Sequence, residues 1–240
     1  MITNQSLLKV IGLVMLSLLI GGCLAEPAPI HTPTLEDQRS ALDPESGISS
    51  GLPVIDGSIQ EEEWNGADVW ALEDGGQLYL ILTEDHLYLA LRTLPQGMIA
   101  GNVFLFSGDQ IRVLHTSAAL GTAVYQPDGG QWLKVKDFEG CCRSRIADQD
   151  SLEDRQAFSD KDGWLGANSF LGIENELEYG IRLGETETAL AVNYLWVDEV
   201  DVKQVWPAGL TDGVAWPSLG GFPDRMEFSP TDWYALSGAD

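Results

Sequence analysis

The chain has 240 residues, 44% of them hydrophobic, and its 37 acidic against 13 basic side chains give a formal charge of −24. A surface of that sign suits a soluble, self-repelling protein and should repel nucleic acid and anionic lipid heads, so nucleic acid is not an expected partner. It also supplies carboxylates for hard cations such as Ca²⁺, although a solvated surface accounts for any single Asp or Glu equally well.

In chain order, the first feature is an apolar run from Val10 to Ile20. It has the length of a signal-peptide core and falls short of the ~20 apolar residues that a membrane-spanning helix requires. It ends in Leu19-Ile20-Gly21-Gly22-Cys23, which resembles a bacterial lipobox. Residues 1–22 are therefore expected to be a cleaved leader, and Cys23 the lipidated first residue of an extracytoplasmic protein. Leu24 resembles the default for passage to the outer membrane of a double-membraned cell. Pro27, Pro29, Pro33 and Pro44 then punctuate an aperiodic stretch up to Gly51, which reads as a tether.

From Leu52 onward the pattern is one of short strands in a single domain reaching the C-terminus. The clearest is a hairpin pairing Gln77–Leu82 with His86–Leu91 through Thr83-Glu84-Asp85, apolar on both faces as central strands are. Strands are predicted over Asn102–Phe106, Gln110–His115, Gly121–Gln126, Gln131–Val135, Leu177–Leu183 and Ala189–Val197. Ser151–Glu176 shows no strand alternation, and Leu152–Phe158 suggests a helical turn. Many strands, 26 glycines and little 3.6-residue periodicity predict an all-β antiparallel sandwich with long loops and little helix, jelly-roll-like or immunoglobulin-like.

Three segments carry a resemblance. Pro53-Val54-Ile55-Asp56-Gly57-Ser58-Ile59 with Glu62-Glu63-Trp64, the strand start Asp85-His86-Leu87-Tyr88-Leu89, and the closing Phe222-Pro223-Asp224-Arg225 to Asp232-Trp233 look like family 9 carbohydrate-binding modules and DOMON-like sandwiches. The resemblance implies the sandwich fold and a saccharide ligand, or haem in some DOMON branches. It transfers no ligand-contacting residue. Asp56-Gly57 fits a turn, and Trp64, Trp196 and Trp233 are assigned to the core.

Sugar recognition needs flat aromatic faces for the C–H side of the ring and polar groups for its hydroxyls. Of the eight tryptophans, Trp132 alternates with Lys134 and Lys136 and is placed on their solvent-facing side. Trp164, Trp206 and Trp216 lie in Gly- and Pro-rich stretches read as loops, where binding residues concentrate on rigid scaffolds, or where they plug a sandwich end. His115 and Ser117 stand two apart on one strand face and are candidates for lining a pocket. A hydrolase reading with Asp109 as orienter lacks a Gly-x-Ser-x-Gly elbow.

Haem would require His115, His86, Met98 or Met226 as an axial ligand, with His115 the better placed. Calcium would find alternating carboxylates at Asp148-Gln149-Asp150 and Asp160-Lys161-Asp162. Nothing singles out a pair of glycosidase carboxylates. Cys141 and Cys142 pair only as a strained vicinal disulfide, because adjacent Cα atoms lie ~3.8 Å apart where a disulfide wants about 4.4–6.8 Å; free thiols and a turn lock are the alternatives. The expectation is a lipid-tethered saccharide-binding module without catalysis of its own and with no required cofactor. A structural or partner-binding lipoprotein scaffold is the alternative class, and an enzyme comes third.

Overall fold

A computed structural model describes residues 52–94, 98–139, 152–169, 175–197, 204–216 and 221–236. The expected leader and tether, Cys23, Cys141, Cys142 and Asp148-Gln149-Asp150 lie outside the described residues.

The apolar alternation of the sequence becomes two antiparallel sheets. Strands β1 (Asp68–Ala71), β2 (Gln77–Leu82), β3 (His86–Thr93), β9 (Asn175–Arg182) and β8 (Trp164–Asn168) form one, in the order β1-β2-β3-β9-β8. The other runs β11-β10-β4-β5-β6-β7-β12, built from β4 (Ile99–Phe106), β5 (Ile111–Thr116), β6 (Leu120–Asp128), β7 (Gln131–Lys136), β10 (Ala189–Trp196), β11 (Gln204–Trp206) and β12 (Arg225–Met226). A short β13 (Tyr234–Ala235) also pairs with β10. The fold is an all-β sandwich. Its helix α1 (Leu152–Asp162) replaces the predicted helical turn and buries Phe158, whose ring meets Trp164 at 5.1 Å.

Leu78, Leu80, Leu87 and Leu89 of the smaller sheet face Val103, Leu105, Leu114, Leu190 and Val192 of the larger to make the central core. Both sheets are apolar on their outer faces too, and the chain covers each. The C-terminal segment lays Val214, Phe222, Met226, Phe228 and Trp233 over Phe104, Ile111, Val113 and Tyr125. The opening segment places Ile59 and Trp64 against Ala90, Tyr79, Ile81 and Tyr88. The hairpin thus has one buried and one partly buried apolar face, and Trp64, Trp196 and Trp233 are buried.

Two glutamates of β9 pin the opening strap. Glu178 Oε2 accepts the backbone N–H groups of Asp56, Gly57 and Ser58 at 3.0, 2.7 and 3.2 Å, and Oε1 accepts Trp64 Nε1–H at 3.1 Å. Glu176 accepts Ile59 N–H at 2.8 Å and pairs with Arg92 Nε at 2.7 Å. Burial and the nearby Asp56 carboxylate push Glu178 up to about 8, against the pull of its N–H donors.

Candidate functional site

On one side of the larger sheet the short strands β11 and β13 border β10, whose inward residues include Leu190, Val192 and Tyr194. Across that edge Leu190 pairs with Tyr234, Val192 with Trp206 and Tyr194 with Gln204. The smaller sheet ends at β1, where Trp70 pairs with Leu78, a core residue. Trp70 therefore reaches the two aromatic residues of the opposite sheet and closes the sandwich side. The Trp70 ring centroid lies 5.1 Å from Trp206 and 5.6 Å from Tyr234, and Trp206 lies 4.9 Å from Tyr234. Trp206, joined to Pro207 by a cis peptide, is 8% exposed and forms the floor, whereas Trp70 and Tyr234 are half-buried.

Polar groups border this aromatic edge. Asp74, in the β1–β2 turn, fixes the turn by accepting Gly76 N–H at 2.9 Å and accepts the Tyr194 hydroxyl on its other oxygen. Burial first, then the hydrogen bond to Asp74 and its charge, raise the Tyr194 pKa well above the ordinary phenol value, so the hydroxyl stays a donor. Asp74 is thereby tied to the residue of β10 that pairs with Gln204, two positions along the strand from the partner of Trp206. Gln204 shares the Trp206 face and is half-buried. The three rings meet tilted or edge-on, and Trp70 and Tyr234 are left partly exposed.

Sequence reasoning missed Trp70 and Tyr234, because each sits in a strand too short to show alternation. The four tryptophans it singled out do not converge. Trp164 lies on β8 and not in a loop; it is 1% exposed, and its Nε1–H donates to Thr122 Oγ1 at 2.8 Å. Trp206 likewise belongs to a strand. Trp132 does not face solvent: its ring packs edge-on to Phe106 at 6.0 Å and Phe228 at 6.4 Å, under the C-terminal segment. Trp216 alone is exposed, at 45%. For Trp164 and Trp206 the reason is the same: the neighbouring Gly163 and Pro207 sit in bends beside short strands and make the strand read as loop.

His115 and Ser117 do come together, in a chain of hydrogen bonds. His115 Nε2 lies 2.9 Å from Ser117 Oγ and Nδ1 2.8 Å from Asn102 Oδ1; Asn102 Nδ2–H donates to Asn193 Oδ1 at 2.7 Å, and Asn193 Nδ2–H to Val214 O. Asp109 sits at the opposite end of β5, beside Ser107, and does not orient the histidine. Both His115 nitrogens are engaged, so ligating a haem iron through Nε2 requires displacing Ser117. Burial lowers the His115 pKa to about 4 and keeps the ring neutral. His86 is half-exposed and stacks on Tyr88, and Met226 is buried under the C-terminal segment.

A cleft of about 300 Å³ between α1 and β6–β7 is lined by Thr122, Lys136, Phe158, Lys161 and Asp162. Asp162 is paired there with Lys136 at 2.8 Å, and Asp160 accepts from Gln156 at 3.0 Å. Among the described residues no group of three His, Cys, Asp or Glu is arranged to hold a metal.

No protein-family model matches the sequence, and no curated protein matches it. Among solved structures the chain is similar to a carbohydrate binding module family 9 (CBM9) from Caldicellulosiruptor kristjanssonii in complex with cellotriose. The identity is 13%, the TM-score 0.31, and the match covers 75% of this chain and 82% of that one.

Proposed function

We propose that this protein binds a saccharide on the sandwich edge formed by Trp70, Trp206 and Tyr234, and that a lipid on Cys23 holds this edge outside the cytoplasm. The observation that carries the reading is the aromatic triangle itself. Two half-buried rings rest on a third; Gln204 lies on the same strand face as Trp206, and Asp74, in the turn after β1, holds the Tyr194 that pairs with Gln204. The rings suit the apolar face of a pyranose, and the carboxylate and amide suit its hydroxyls. A preformed aromatic floor loses little rotamer freedom on binding, so even a shallow site retains affinity.

Calorimetric titration with cello-, xylo-, manno- and chito-oligosaccharides tests it. At least one series binds, and Trp70→Ala weakens that binding tenfold or more, about 1.4 kcal/mol, whereas Trp216→Ala leaves it unchanged. Binding unaffected by Trp70→Ala contradicts the site.

A second reading, a structural or partner-binding scaffold, is favoured by the burial of Trp164 and the packing of Trp132. It is the reading that survives if all four series fail to bind.

A further inference from the structure

The hydrogen-bond chain through His115 crosses the larger sheet in strict register. Asn193 pairs with Asn102 across β10–β4, Asn102 with His115 across β4–β5, and His115 with Gly121 across β5–β6. Its direction is fixed from one end. Val214 O accepts only, so Asn193 must present its NH₂ there and its oxygen to Asn102. Asn102 then presents its oxygen to His115, whose Nδ1 must carry the proton. Nε2 is left as an acceptor, aimed at Ser117 Oγ–H at 2.9 Å.

Packing holds the imidazole in that pose. Phe138 meets His115 edge-on at 5.5 Å, and it fits because residue 121 is glycine: a Cβ there would lie 3.0 Å from the Phe138 ring. Ser117, at the other end, is half-buried in the small-residue turn Ser117-Ala118-Ala119, where Ala118 is exposed. A serine at the surface thus faces a buried, neutral base in a fixed tautomer, oriented by a side-chain carbonyl. The order hydroxyl, imidazole, side-chain carbonyl is that of a nucleophile relay, with burial making this imidazole a weaker base than an ordinary histidine.

We propose that Ser117, His115 and Asn102 form a serine–histidine–asparagine relay that makes Ser117 an acyl-accepting nucleophile toward small activated esters, an activity separate from saccharide binding. Ser117 Oγ bonds to the ester carbonyl carbon while its proton passes to His115 Nε2. Collapse of the adduct breaks the bond to the alcohol oxygen, which takes that proton and departs. Water then adds to the acyl group through the same base, releasing the carboxylic acid and restoring the serine. Asn102 is a positioning residue, holding Nδ1–H.

The test uses a small alkyl fluorophosphonate, in which the serine oxygen displaces fluoride, followed by intact mass and peptide mapping of the purified protein. One adduct per chain is expected, on Ser117, and absent in Ser117→Ala. In His115→Gln the labelling rate falls at least tenfold and rises only with hydroxide, a pH profile that loss of packing alone would not produce. Ser117→Ala sits at a partly exposed turn and keeps the test decisive if the histidine variant misfolds. An unlabelled protein, or equal labelling of Ser117→Ala, overturns the proposal and leaves the saccharide reading standing.

Discussion

Gly57 donates its backbone N–H to Glu178 Oε2 at 2.7 Å, joining the start of the domain to the middle of β9 across 121 residues of sequence. The contact needs glycine on two counts. Its φ is +86°, and a Cβ would fall 2.4 Å from the backbone oxygen of Asn168.

Gly57→Ala is therefore expected to destabilise the fold by about 2–4 kcal/mol, because an L side chain is strained at that φ and the backbone it meets cannot yield. Glu178→Ala takes this acceptor from the Asp56 and Gly57 amides and the Trp64 indole N–H, for about 3 kcal/mol, while Ser58 N–H keeps Asp56 Oδ1 at 2.9 Å. Denaturant unfolding measures both. A loss under about 0.5 kcal/mol in either variant would mean that the strap does not depend on this nest.

Acid sensitivity follows from His115, held neutral with a pKa lowered to about 4. The unfolded chain takes up a proton near pH 6.5 and the folded chain resists until about 4, so the unfolded state binds more protons between those values. Stability from this group is present above pH 6.5 and is lost as pH falls toward 4, with about 2 kcal/mol gone at pH 5 relative to pH 7. The difference between wild type and His115→Gln isolates the effect, since every other titration is common to both. Equal pH slopes for the two proteins would show that the histidine is not held neutral.

Much of this fold is legible in the sequence. The β2–β3 hairpin spells its boundaries because both faces are apolar and Thr83-Glu84-Asp85 can only turn; Thr83 N–H closes that turn on His86 O at 2.8 Å. The long strands β4, β5, β6, β9 and β10 are within a few residues of their predicted limits. The lateral edges are not legible. Strands of two to five residues, such as β1, β8, β11 and β13, present too few side chains for a period of two to register, and their flanking Gly and Pro read as loop. Trp70, Trp206 and Tyr234 lie 136 and 28 residues apart in the chain, and only the meeting of the two sheet edges brings them together. The pairing of His115 with Ser117 was visible from strand geometry, but Asn102 was not, since cross-strand register is a property of the sheet.

A saccharide seated on the aromatic edge would be reported by the indole N–H resonances of the eight tryptophans. In a ¹⁵N-labelled protein titrated with the oligosaccharide that binds, the Trp70 and Trp206 indole signals should shift and saturate together. Trp164 and Trp216 should remain in place. Saturable shifts confined to Trp216, or to any indole other than Trp70 and Trp206, would contradict the account.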